Sequence, residues 1–281
     1  EPGGMLRYGI PEYRLSTPIL SYEINWILSH GIELRCNTQV GKDISFADIM
    51  QEYDAIFIGA GAQKGVKMQI QGEDLEGVID GVDFLRDVNM GKKVNAKGKV
   101  IIIGGGNVAM DAARVSWREG FEEVHVLYRR TKKEMPASPW EIDAAEHEGI
   151  KFQYLVAPIE VVGENGRMTG LKCLRMELGE PDASGRRRPV PVEGSEFIVE
   201  AETLIPAVSQ RPDLSFVPDG SELNITRWNT FAVDQETFMT NVPGVFSAGD
   251  VETGPDIAIR ACANGRKAAD GIIRYLESKK K

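Results

Sequence analysis

The stretch "IIIGGGNVAMD", residues 101–111, is an apolar run that breaks into three glycines and resumes as a small-residue helical pattern. With Lys99 and Val100 in front it reads as one continuous, fully buried strand, "KVIIIGGG". The segment behind it, "NVAMDAARVSWREG" (107–120), reads as a helix that Gly120 closes. Gly104, Gly106 and Ala109 satisfy the pattern G-x-G-x-x-A, and each position has a physical task. Gly104 permits the tight turn, Gly106 lets a pyrophosphate approach the backbone, and Ala109 lets helix and strand pack closely. The helix start at Asn107 and Val108 presents unbonded N–H groups to an anion. A strand before this turn and a helix after it make a dinucleotide the expected ligand.

The identity of the dinucleotide is written at the end of the next strand, "EVHVLYRR" (123–130). An NAD site would carry Asp or Glu about 20 residues beyond the first glycine, to hold the ribose 2′-hydroxyl. Arg129 and Arg130 stand there instead, followed by Lys132 and Lys133. A guanidinium grips a phosphate through two parallel hydrogen bonds, so NADP(H) is the expected nucleotide. Glu134 follows closely enough to leave the strictness of that preference open.

Outward from this unit the chain keeps an α/β rhythm. An irregular, Gly- and Pro-rich opening (1–15) precedes a helix capped near Ser16 and Thr17 and stopped by Gly31. "IELRC" (32–36) reads as a strand, "FADIMQEY" (46–53) as a short helix capped by Ser45, and "DAIFIGAGA" (54–62) as a buried strand. After the glycine unit come a helix at 139–149 and a strand at 150–158. A hairpin is expected about Asn165-Gly166, with further strands over 196–208. "GVFSAGD" (244–250) is a last buried strand, and a helix with one face of small residues follows it. The two strand-to-glycine turns, "DAIFIGAGA" and "KVIIIGGGNVA", echo each other and suggest two related nucleotide-binding halves.

Composition narrows the classes. Hydrophobic residues at 42% and charged residues at 27% fit a globular chain with a real core. A net charge of -9 argues against general nucleic-acid binding, and no apolar run approaches a membrane span. Cys36, Cys173 and Cys262 are scattered, so no redox dithiol or iron–sulfur cluster can be built from this sequence alone. Unpaired cysteines fit a reducing, cytoplasmic setting and read as small core residues. His30, His125 and His147 are too dispersed to suggest a metal site.

Several motifs together resemble one family. "GGGNVAMDAARVSWREG…VHVLYRR…MPAS", "GEPDASGRRRP" and "FSAGD…GRKAADGI" are similar to the small (beta) subunit of glutamate synthase and its relatives. Those relatives include NADPH–ferredoxin oxidoreductase-type subunits and the flavin half of dihydropyrimidine dehydrogenase. The resemblance implies two Rossmann-like nucleotide-binding domains of disulfide-reductase-like type, with residues 97–208 binding NADP(H). It also implies a discontinuous FAD domain in two segments, 1–96 and 209–281. Its pattern places flavin contacts at Gly3, Gly4, Met5 and Arg14, an adenine-side position at Val40, and the ribityl–pyrophosphate at Gly249 and Asp250. Ile257 and Ala258 would begin a helix aimed at the flavin ring, whose N-terminus favours negative charge. Ser209 stands where the family usually has glycine. "GRRRP" (185–189) reads as a charged hairpin tip, with a docking patch for an acidic partner as the alternative.

The same pattern puts a strand with its own G-x-G-x-x-G turn, and a cluster-bearing domain, ahead of the opening loop. The sequence is therefore expected to be truncated, with its FAD site incomplete. The resemblance implies a flavoenzyme that passes electrons from NADPH through FAD. They would go on to iron–sulfur clusters in another domain or subunit, such as a large glutamate synthase-like subunit. No side chain is expected to act as acid or base, since positioning two rings suffices. The alternative is a NADP(H)-binding module without activity of its own. A thioredoxin-reductase-like disulfide reductase is opposed by the missing Cys-x-x-Cys.

Overall fold

The computed structural model describes residues 1–183, 185–218 and 220–280. Its helices are α1 (Met5–Tyr8), α2 (Thr17–Leu28), α3 (Phe46–Glu52), α4 (Gly81–Asn89), α5 (Asn107–Glu119), α6 (Pro139–His147), α7 (Asp250–Thr253) and α8 (Ala258–Lys279). The strands are β1 (Ile56–Ile58), β2 (Lys64–Gly65), β3 (Lys99–Ile103), β4 (Glu123–Tyr128), β5 (Lys151–Tyr154), β6 (Val156–Glu164), β7 (Arg167–Pro181), β8 (Arg187–Pro191), β9 (Phe197–Glu200), β10 (Thr203–Pro206), β11 (Gln210–Arg211) and β12 (Val245–Ser247). Two compact units emerge from internal contacts: Glu1–Leu6 with Thr17–Lys64 and Ser209–Lys281, and Arg7–Ser16 with Gly65–Val208.

The second unit is built on a parallel sheet of order β10-β3-β4-β5. The reason β3 had to be apolar throughout lies in its two covered faces. Val100 and Ile102 point into a core with Phe84 and Leu85 of α4, Met110 and Ala113 of α5, and Ile142 of α6. Their neighbours Ile101 and Ile103 point the other way, against Met168, Leu171 and Cys173 of an antiparallel sheet. That second sheet runs β6-β7-β8, with β9 also on β7. The β6–β7 hairpin turns at Asn165 and Gly166, both in the left-handed region (φ 52° and 80°), as an Asn-Gly turn requires. The expected strand at 150–158 is two strands, because Leu155 takes φ 58° and redirects the chain from one sheet to the other.

Residues 65–96, which sequence rhythm groups with the first segment, pack within the second unit. Asp80 accepts hydrogen bonds from Val82 N and Asp83 N, capping α4, and α4 lays Phe84 and Leu85 on the sheet.

In the first unit β1 and β12 pair in parallel, and Ser247 Oγ donates to Ile58 O across them. Around them a core gathers Phe46, Leu223, Phe231 and Val251. Helix α8 packs through small residues: a Cβ at Gly271 would collide with the Thr237 carbonyl. Ser45 caps α3 as expected, its hydroxyl accepting from Asp48 N. "IELRC" does not form a strand. Ile32 and Leu34 are exposed and find no ladder partner among the described residues. Of the cysteines only Cys173 is a core residue; Cys36 and Cys262 are exposed.

Residues 7–16 form a strap within the second unit. Asn89 Nδ2 donates to the carbonyls of Tyr8 and Ile10, and the Tyr13 ring lies under the guanidinium groups of Arg114 and Arg118. Arg14 Nη1 donates to both oxygens of Asp111, at 2.9 and 2.7 Å, while its Nε is 2.8 Å from Glu141 Oε1. Arg114 ties Glu141 to Glu148. Burial, outweighing the Arg14 charge, pushes the Asp111 carboxyl up to about 6; hydrogen bonds from Arg118, then Arg114, draw Glu148 down to about 2.

The two carboxyls move stability with pH in opposite senses. The folded state takes up the Asp111 proton before the unfolded chain does, so this group favours folding increasingly as pH falls from about 6 to 3.8. Glu148 contributes stability present above 4.5 and lost as pH falls towards about 2. Thermal unfolding at pH 7 and pH 5, compared between the parent and Asp111→Asn, reads the share of Asp111: the variant should show a smaller gain of stability at pH 5 than the parent chain.

Candidate nucleotide-binding site

The glycine turn stands at the carboxyl ends of β3, β4 and β10, where open α/β sheets bind ligands. Gly104 holds φ 149°, and a Cβ there would overlap the Ala207 carbonyl oxygen that follows β10. Its N–H donates to Leu127 O at 3.2 Å. Gly106 differs. It has φ -93°, and a Cβ would meet only Pro136 Cγ at 3.9 Å, so the space in front of it is open. It is the N-cap of α5 and offers no side-chain cap, which leaves the first-turn N–H groups of Asn107 and Val108 for a ligand. Ala109 is fully buried against the strand. An open approach, free N–H groups and a helix dipole fit a pyrophosphate.

The middle glycine has a task that the motif leaves blank. A Cβ on Gly105 would lie 2.5 Å from Cε2 of the Tyr128 ring, so the turn sits directly against that ring. The loop after β4 then folds back over the turn. Ala137 N donates to Gly105 O at 3.0 Å, and Ser138 N donates to Asn107 Oδ1 at 3.0 Å. Three consecutive glycines and the "MPAS" segment (135–138) were the available signals in the sequence.

The basic cluster divides in two. Arg130 was expected beside Arg129 at the 2′-phosphate, but it is 4% exposed. Its Nε donates to Arg187 O and its Nη2 to Asp182 Oδ2, at 2.7 and 2.6 Å. It fastens β4 to the β7–β8 hairpin and has little left to offer a nucleotide. Lys132 is held by Asp143 and Glu146, both at 2.9 Å. Arg129 and Lys133 are exposed and make no hydrogen bond or ion pair among the described residues. Glu134 is turned inward: its carboxylate accepts from the N–H and hydroxyl of Thr131, closing a capping box. That hydrogen bond from the Thr131 hydroxyl, chiefly, lowers the Glu134 carboxyl, and a ribose hydroxyl would have to compete with it.

The positions expected at a flavin fall in two places. Arg14, with its guanidinium engaged by Asp111 and Glu141, belongs to the strap of the second unit. The others lie in the first unit. Gly3 and Gly4 have φ 121° and 54° and lead into Met5 at the start of α1. Val40 bridges Ile44 at a turn and packs in the core. Gly249 takes φ 76° at the N-cap of α7, and Asp250 accepts a hydrogen bond from Asp256 N; burial raises the Asp250 carboxyl. Ile257 caps α8 without a side-chain bond, leaving the N–H groups of Ala258 and Ile259 unpaired. An uncapped helix of 22 residues behind a left-handed glycine suits an anionic cofactor. The "GRRRP" tip is partly committed, since Arg187 donates to the carbonyls of Gly179 and Leu178. Ser184 lies outside the described residues. Among those described, no group of three or more His, Cys, Asp or Glu could hold a metal ion. Among the described residues, no helix is long and apolar enough to cross a membrane.

A doubly covered parallel sheet, a glycine turn at its carboxyl end and an uncapped helix define a Rossmann-type dinucleotide-binding protein. The chain belongs to the pyridine nucleotide-disulphide oxidoreductase family, whose pattern matches residues 20–265. It is 44% identical to the NADPH-Fe(3+) oxidoreductase subunit beta of Geobacter sulfurreducens, over 99% of this chain and 45% of that one. With the glutamate synthase [NADPH] small chain of Escherichia coli it shares 37% identity, over 99% of this chain and 62% of the relative. The chain thus spans about half the length of such relatives. Mycobacterium tuberculosis FprA, solved in complex with NADPH, has the same fold at TM-score 0.78 and 21% identity, covering 99% of this chain and 76% of FprA.

The glycines separate stability from binding. Gly104→Ala should destabilise by about 2 kcal/mol or more, from the left-handed backbone and the Ala207 overlap together. Gly106→Ala should leave the urea midpoint unchanged while reducing nucleotide binding at least tenfold, because its Cβ intrudes only on the ligand's space. Loss of stability in the second variant, or retained binding, would show the turn has another purpose.

Proposed function

We propose that this chain is the NADPH- and flavin-binding portion of an electron-transfer oxidoreductase. In this reading NADPH delivers reducing equivalents through FAD to iron–sulfur centres in another domain or subunit. The observation that carries it is the pairing, in one unit, of an open uncapped glycine turn with an unengaged Arg129 at the end of the neighbouring strand. The α5 N–H groups would hold the pyrophosphate, and Arg129 with Lys133 the 2′-phosphate. Arg130 is assigned to fastening the arm rather than to the nucleotide. In the first unit Gly249, Asp250 and the α8 start at Ala258 would hold FAD, with Gly3, Gly4, Met5 and Val40 as further contacts. FAD, when bound, accepts two electrons as hydride and can release them singly. The chain's own residues bind and orient, and none is assigned a proton.

The relatives' names, a subunit beta and a small chain, support a partner subunit. A large glutamate synthase-like chain is one candidate for it. The unpaired cysteines support a cytoplasmic setting. The domain division we adopt is 97–208 for NADP(H), joined by residues 65–96 that pack with it, and the remainder of 1–96 with 209–281 for FAD. A nucleotide-binding module without activity of its own is the second reading, favoured by a self-contained second unit.

Equilibrium titration with NADPH and NADH tests the assignment. Arg129→Ala should weaken NADPH about tenfold, the scale of a lost hydrogen bond to a charged group, and leave NADH within twofold. Equal loss of both would remove Arg129 from the site. The visible spectrum separates the two readings: a yellow protein bleached by NADPH is the oxidoreductase, and a colourless one that still binds NADPH is the module.

A further inference from the structure

Tyr128 is the residue through which the two ends of this site are joined, and nothing in the motif assigns it a role. Its ring, 6% exposed, is the surface on which Gly105 rests. Its hydroxyl donates to Glu134 O at 2.9 Å, a buried bond spanning six residues of chain. That bond closes the arc 128–134, on which Arg129 and Lys133 ride. The arc is closed a second time from within, by the Glu134 carboxylate on the Thr131 N–H and hydroxyl. Beyond it Met135 and Ala137 are buried, and Ala137 N returns to Gly105 O. One aromatic side chain thus supports the pyrophosphate turn with its ring and the cationic arm with its hydroxyl.

We infer that Tyr128 is a positioning residue that sets the preference for a 2′-phosphorylated nucleotide. It acts through Arg129 and Lys133 without touching the phosphate. This rests on the NADP(H) reading above. Two flexible cationic side chains on an open loop would sample many arrangements, and only a fixed arc presents them at one spacing from the glycine turn. The ring and the hydroxyl serve different parts of the ligand. Tyr128→Phe keeps the support under Gly105, which every adenine dinucleotide needs, and releases only the arm.

Calorimetric titration of the purified chain with 2′,5′-ADP and with 5′-AMP, which differ only in the 2′-phosphate, reads the two parts separately and needs no bound flavin. The parent chain should prefer 2′,5′-ADP. Tyr128→Phe should weaken 2′,5′-ADP about fivefold, as expected for one neutral hydrogen bond, and leave 5′-AMP within twofold. In an Arg129→Ala background the same change should have a smaller further effect, since only Lys133 is then left for the arc to position. Glu134→Ala cuts the arc's other tie with Tyr128 in place and should reproduce the selective loss. It keeps the test open if Tyr128→Phe proves unstable. Equal weakening of both ligands, or an undiminished effect of Tyr128→Phe without Arg129, overturns the inference. A parent chain that does not distinguish the two ligands overturns the NADP(H) reading itself, and this inference with it.

Discussion

The second unit depends on a strand with no free face. β3 is covered by helices on one side and by the antiparallel sheet on the other, so Val100, Ile101, Ile102 and Ile103 are all buried. A strand so enclosed can expose function only at its end. There the chain must leave the sheet beside Ala207 and begin α5 at once, which demands a residue without a side chain at Gly104. Core packing and ligand geometry therefore meet in a single turn. Gly104 and Gly105 are held down against Ala207 and Tyr128, and the space in front of Gly106, next in the chain, is open.

Much of this was legible beforehand because it is local. Strand, turn and helix over 99–119 follow from apolar continuity, three glycines and the αL cap at Gly120, and the structure forms them almost residue for residue. What escaped was information carried by distant partners. Arg129 and Arg130 are chemically identical neighbours, and alternation along the chain turns one outward and the other onto Asp182 and Arg187, which lie more than fifty residues on. Arg14 is engaged by Asp111 and Glu141 for the same kind of reason. Periodicity cannot report a partner so far away. "IELRC" failed in the opposite way: its residues favour a strand, yet a strand is made by the neighbour it pairs with.

The network around α5 adds a constraint on the same helix. Asp111 closes the motif that begins at Ile101, and the strap carrying Tyr13 and Arg14 is fastened to it. Burial of a charged carboxyl is costly, and it persists where several donors converge, as Arg14 and Arg114 do on Asp111 and Glu141. The dinucleotide helix is thus fixed from Asp111 to Arg118 by the strap, at its first turn by Ser138, and along its apolar face by the sheet. Such rigidity suits a site that works by position rather than by acid–base chemistry.

The central claim is that a nucleotide phosphate meets the start of α5 while a 2′-phosphate meets Arg129. Amide NMR of the labelled chain during titration with NADPH and then NADH addresses it most directly. The account predicts that both nucleotides shift the Gly105, Gly106, Asn107 and Val108 amides, and that only NADPH shifts Arg129 and Lys133. Shifts confined to other parts of the chain, or the same response of Arg129 to both nucleotides, would contradict it.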